Sequence, residues 1–131
     1  MNTRIFDIAG SAMRAQSLRL NATASNLANA DSVAGDPASV YRSRHPVFAA
    51  VLDGEIGGVA TRGVVESARP AERRHAPDHP LADASGHVYA SNVDTVEEMT
   101  NMMSASRSYQ SNVELLNTAR QLMLKTLRLG E

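Results

Sequence analysis

Cysteine is absent from this sequence, so disulfides and thiolate chemistry are excluded, while the redox compartment is left open. Aromatic residues are scarce: Phe6, Tyr41, Phe48, Tyr89 and Tyr109 are all there are. A core made from Ala, Val, Leu and Met suits close helix packing better than a large globular centre. The longest apolar run, Val47–Leu52, is far too short to cross a bilayer. No cleavable secretory signal is visible, because Asp7 and Arg14 fall where its apolar stretch belongs. No strong excess of one charge sign exists either. The formal net charge is −1, and no segment carries the basic balance that phosphate backbones require, which excludes nucleic acid as the expected partner. At 131 residues the chain is one domain's worth.

Proline and glycine divide the chain. All five prolines lie between residues 33 and 92, and the flanks have none. Residues 93–131 predict the dominant element. From Val93 to Leu129 there is neither Pro nor Gly, and apolar residues recur in steps of seven, four and three. On a heptad, one seam position reads Met102, Tyr109, Leu116, Met123, and the other reads Ser106, Val113, Arg120, Leu127. Asp94 with Glu97, or Thr95 with Glu98, offers a capping box at the start. Lys125 and Arg128 suit the carbonyl end, and Gly130 follows as the terminating glycine. A helix from Thr95 to Leu129 would be roughly 52 Å long at 1.5 Å per residue. A compact domain of this size is only about 36 Å across. The helix must therefore pack on a second long helix or be covered by neighbouring molecules.

Residues 1–32 predict that second helix, over 4–30. Ile5, Ile8, Ala9, Ala12, Met13, Leu20 and Leu27 gather on one broad side, and Asp7, Arg14, Asn21 and Ser25 on the other. Its end is marked by Ser25-Asn26-Leu27-Ala28-Asn29-Ala30-Asp31-Ser32, whose Asn, Asp and Ser side chains compete for backbone bonds, and by Gly35-Asp36-Pro37. Residues 33–92 read as a compact β-rich module with short strands at Val40–Arg44, Val47–Leu52, Gly58–Glu66 and His87–Tyr89. The charged, proline-rich stretch 68–80 reads as loop or edge. The expected architecture is mainly α, with two long terminal helices packed as a coiled-coil-like pair and a small β-rich insertion between them.

No constellation points to an enzyme, and no cofactor or small-molecule substrate is implied. His75, His79 and His87, with Asp78 and Asp83, are the sharpest candidate metal ligands. His75 and His79 flank Pro77 and cannot be helical partners, and the H-E-x-x-H pattern is missing, so they read as solvated loop residues and no metal is expected. No G-x-S-x-G elbow and no phosphate-binding glycine loop occur. Arg73-Arg74 is too short for a nucleic-acid patch, and the Asn21-Ala22-Thr23 triplet sits mid-helix. Met99, Met102 and Met103 could make an adaptable binding face, but on a helical stripe they read as packing residues.

At this point two stretches resemble a known family. Ser25, Asn26, Leu27, Ala28, Asn29, Ala30 and Asp31 resemble the N-terminal signature of the bacterial flagellar axial proteins, the rod, hook and hook-associated subunits. Asn92, Val93 and Asp94 through Met99, with Met103 to Asn112 including Arg107 and Tyr109, resemble their C-terminal signature. The short middle segment, Pro80-Leu81-Ala82-Asp83 ahead of Gly86, and the ending Leu127-Arg128-Leu129-Gly130 are similar to the proximal-rod subunits of that family. His79, His87 and the stretch 72–76 depart from the usual pattern.

The resemblance implies a structural subunit of the basal body. It would be passed by the flagellar type III export apparatus without a cleavable signal and polymerised in the periplasm. Its partners would be itself, other rod subunits and the membrane-ring and export-gate region at the rod base. The two motifs would then form the assembly interface together with the seam residues Met102, Tyr109, Val113, Leu116, Met123 and Leu127. Another axial subunit, a helical export adaptor and a metal-dependent hydrolase built on the histidine loop are the competing classes. Neither of the last two accounts for both motifs.

Overall fold

A computed structural model describes residues 4–53 and 56–130 of the chain, so residues 1–3 and 131 of the two expected helical segments lie outside it. Helix α1 (Arg4–Ala28) and helix α2 (Thr95–Leu129) flank five strands. These are β1 (Val33–Ala34), β2 (Arg44–Asp53), β3 (Ile56–Glu66), β4 (Glu72–His75) and β5 (His87–Ala90).

α1 stops two residues earlier than the pattern predicts. The Asn29 side-chain amide donates to the Ser25 carbonyl at 2.9 Å, and its backbone N–H reaches the same oxygen at 3.1 Å. The Ser32 hydroxyl then caps the Asn29 carbonyl at 2.8 Å. These side chains take over the carbonyls that a further helical turn would have used. α2 has the expected 35 residues. Asp94 is its N-cap, accepting from Val96 and Glu97 N–H groups at 3.0 and 3.1 Å. The second half of a capping box is not formed, because the Glu97 carboxylate turns to Arg69 at 3.0 Å. Gly130 closes the helix through its N–H on the Leu127 carbonyl, with φ at −96°.

The helices lie side by side and antiparallel. Ile5 and Phe6 share a groove with Ala119, Met123 and Leu127. Met13 lies by Tyr109, and Arg19 donates to Asn101 at 2.9 Å. Small residues are the most deeply buried apolar side chains of the two helices: Ala9, Ala15 and Ala105 are at most 4% exposed. The deepest stripe of α2 is Glu98–Ala105, continued by half-buried Asn112 and Ala119, with Met102, Tyr109, Leu116 and Met123 beside it. The second seam position of the heptad reading is thus displaced by one residue, and Arg120 and Leu127 are exposed. On α2 the deepest burial thus falls on Ala105, a small side chain, with the large side chains to one side of it. Met99 and Met103, read as packing residues, are also exposed.

The β module differs from the expected strands in three places. Val40–Tyr41–Arg42–Ser43 is not a strand. β4 forms within the stretch read as loop or edge, as an edge strand with every residue exposed. β1 pairs with β5, giving an antiparallel sheet in the order β1-β5-β4. Val88 and Ala90 of the central strand are buried. β2 and β3 make a separate two-stranded hairpin, with a bulge where Val47 faces Gly63 and Phe48 faces Thr61, so that Arg62 is left over. Gly63, at φ +143°, supplies the backbone conformation this needs. The hairpin leans on α1, where the Ser11 hydroxyl accepts from Val59 N–H at 3.2 Å and donates to the Ile8 carbonyl. Among the described residues no helix is long and apolar enough to cross a membrane.

Candidate functional site

The largest fully buried side chains are Glu98, Asn26 and Ser43, all polar. They meet at the junction of α1, α2 and the base of the hairpin. Asn26 Oδ1 accepts from Arg44 N–H at 2.8 Å, and its Nδ2 donates to the Arg44 carbonyl at 2.9 Å. The amide thus offers Arg44 what a neighbouring strand would offer. Asn26 Oδ1 also accepts from the Tyr41 hydroxyl at 2.8 Å, which lies 3.1 Å from Ser25 Oγ. The Arg44 guanidinium stands 5.4 Å over the Tyr41 ring.

Asn92 repeats the device from the other signature. Its Oδ1 accepts from Ser43 N–H at 2.8 Å, and its Nδ2 donates to the Arg69 carbonyl at 2.7 Å. Ser67 N–H closes the same point by donating to the Ser43 carbonyl at 2.8 Å. The two asparagines therefore grip both ends of the hairpin and tie it to the start of α2. Glu98 completes the junction: Oε1 is 3.9 Å from His45 Nδ1, and Oε2 has no partner among the described residues. Tyr41, Ser43, Arg44, His45 and Arg69 are junction residues that sequence reasoning missed.

The remaining signature residues divide. Leu27 and Ala30 are half-buried, and Ala28 and Asp31 exposed. Val93, Met102, Tyr109, Asn112, Val113, Leu116 and Met123 are half-buried, while Met99, Met103, Arg107 and Leu127 face outward. At the far end of the helix pair, Ile5, Phe6, Leu122, Met123 and Leu127 line an apolar groove of about 300 Å³.

The histidine loop is not gathered into a ligand set. His75 and His87 face each other across β4 and β5 with ring centroids 5.1 Å apart. His87 Nδ1 is 3.1 Å from the Arg73 guanidinium, a cation where a metal would need none. His79 Nδ1 accepts from Leu81 N–H at 3.1 Å. Among the described residues no three potential metal-ligating side chains come together.

Known proteins match both ends and the whole. A family described as flagella basal body rod protein matches residues 6–35, and the flagellar basal body rod FlgEFG protein C-terminal family matches residues 84–129. The chain is 56% identical over 129 residues to the flagellar basal-body rod protein FlgC of Salmonella typhimurium, covering 97% of this chain and 96% of that protein. Identity to the protein of the same name from Escherichia coli O157:H7 is 57% over the same shares. The FlgC of Buchnera aphidicola subsp. Acyrthosiphon pisum is 41% identical over 131 residues, with 97% and 96% covered.

Proposed function

This chain belongs to the FlgC family of flagellar basal-body rod proteins and is a structural subunit of the proximal rod, and we propose that it polymerises there through the outward flanks of its two terminal helices. Its place is the flagellar basal body, where it assembles with other rod components, and its relatives are structural proteins, not enzymes.

Uncovered apolar surface on α2 supports the helical interface: Val96, Met99, Met103, Leu115, Leu122 and Leu124 are 43% to 72% exposed. Monomeric proteins rarely leave so large an apolar surface open. In the rod, residues 1–32 and 93–131 form the helical core as a coiled-coil-like pair, and residues 33–92 form the outer module. The seven-residue steps from Glu98 to Ala119 and from Met102 to Met123 favour that packing. Asn26, Asn92 and Asp94 hold the subunit's own junction, while Met99, Met103, Arg107 and Leu127 meet neighbours. The rod so built is a hollow shaft that transmits motor torque and encloses the export channel. Its base adjoins the membrane-ring and export-gate region. The flagellar type III apparatus delivers the subunit to the periplasm.

Met103→Asp tests the interface. Met103 is 67% exposed, so the free chain should keep its helix content. The variant is expected to be missing from detergent-extracted basal bodies, and its cells non-motile. Normal incorporation of Met103→Asp would remove this flank of α2 from the interface.

A further inference from the structure

We propose that the outer edge of β2, from Phe48 to Leu52, is a docking site for an extended strand contributed by an adjoining rod subunit, a proposal that rests on the rod-subunit reading above. β2 and β3 pair only with each other, so each has one free edge. Ala50 lies opposite Val59. The Val59 N–H points away from Ala50, to Ser11 on α1. In an antiparallel ladder a residue whose N–H points outward also has its carbonyl outward, and so has the residue directly opposite. Ala50 therefore presents both groups on the far edge. The same alternation applies to Phe48, opposite Thr61, and to Leu52, opposite Gly57. Outside the β2–β3 ladder, none of the backbone–backbone bonds among the described residues involves these six groups.

The two edges of the hairpin are treated differently. That of β3 is covered by α1 at Ser11. That of β2 is closed only at its base, by Asn26 on Arg44, by Pro46 and by the bulge next to Phe48. Beyond them β2 reads Phe-Ala-Ala-Val-Leu, with no charge before Asp53. Val51 is 42% and Leu52 78% exposed. Such an edge is a template for another strand, and a two-stranded hairpin is marginal alone. Its occupant must supply a donor and an acceptor at every second residue, about 6.8 Å apart, next to apolar side chains. A helix has its backbone groups already paired and a lipid surface has no such spacing, so the fit is to a protein strand added to the sheet. A polymer brings such a strand to the flank of every subunit.

Ala50→Pro is the test. Proline at 50 removes one outward N–H and leaves the bonds to β3, which belong to Ala49 and Val51. The variant is expected to keep the amide chemical shifts of β3, residues 56–66, in the free chain and to be lost from basal bodies. A second measurement needs no substitution. In the unaltered protein the Ala50 and Leu52 amides should exchange deuterium fast in the free chain and become protected in isolated basal bodies, while Val51 is protected in both. If Ala50→Pro unfolds the hairpin, the exchange result decides alone. Wild-type incorporation of a folded Ala50→Pro chain, or Ala50 and Leu52 amides as fast in rods as in the free chain, overturns the proposal. Absence of the unaltered chain from basal bodies would instead overturn the rod-subunit reading itself.

Discussion

Asn26 was legible as a signature residue and as helix punctuation, but not as a clamp. A helix-ending asparagine can bond its own backbone, as Asn29 does to Ser25. That Asn26 instead grips Arg44 depends on where the hairpin returns, which no local pattern records. Asp83 is a second residue whose work is visible only in the fold. Its Oδ1 accepts from the N–H groups of Ser85 and His87 at 2.9 Å each and from the Ser85 hydroxyl at 2.7 Å. The His87 N–H first, then the Ser85 hydroxyl, hold the carboxyl down to about 2. A carboxylate whose folded value is depressed stabilises the fold fully above its unfolded value, near 3.9, and loses that contribution as pH falls through the folded value. The turn from Asp83 to His87 is therefore expected to stay closed at about pH 5 and to loosen between roughly pH 4 and pH 2. Deuterium exchange at the His87 amide checks this. Asp83→Asn should erase the pH step, and a wild-type His87 amide equally protected across that range would contradict it.

At the scale of elements, the long helices were legible because length, periodicity and caps agreed. The short strands were less so, because their pairing comes from elsewhere. Glu72–His75 shows four exposed side chains and no alternation, and β5 alone makes it a strand. Val40–Ser43 has the β-branched and aromatic residues of a strand, yet the Ser43 N–H is taken by the Asn92 side chain, and the strand begins only at Arg44. The helix seam was half legible. Large apolar residues drew attention to Met102, Tyr109, Leu116 and Met123, but the most deeply buried apolar residue of α2 is Ala105, which is 0% exposed. Ala105→Leu must push the helices apart, and overpacking of this kind costs about 1–3 kcal/mol. Leu116 is only half-buried. Leu116→Ala should therefore fall below the roughly 2–5 kcal/mol typical of fully buried leucines. Urea midpoints of the two variants compare them directly, and a larger loss from Leu116→Ala would restore the large-residue seam.

The whole molecule exposes 8795 Å², where a compact monomer of 14.0 kDa would expose about 6,700 Å². The excess fits the shape: a helix of about 52 Å attached to a small β module cannot be wrapped by its own chain. Burial is uneven along that length. Thr23, Asn26, Glu98 and Ala105 are all buried near the junction, whereas Leu122, Leu124, Leu127 and Leu129 at the other end are 48% to 89% exposed. Helices gain most of their stability from packing, and ordering each backbone residue costs about 1–2 kcal/mol. The distal part of the pair, with the start of α1 against the end of α2, is therefore expected to fray in the dilute monomer, while the junction holds. The sequence alone would place the stable piece within residues 33–92. The buried residues extend it to about residues 9–105. Trypsin has sites on both sides of that limit, at Arg4, Arg120 and Lys125 outside it and at Arg14, Arg62 and Arg73 within it. Early cleavage outside, with slow loss of the central fragment, is the expected pattern, since unpacked ends are cut first. Amide exchange should agree, with protection from Ala119 to Leu129 appearing only in assembled rods. Equal protection along all of α2 in a verified dilute monomer would show that α1 alone suffices to hold it, and the inference from exposed helix surface to subunit assembly would fail with it.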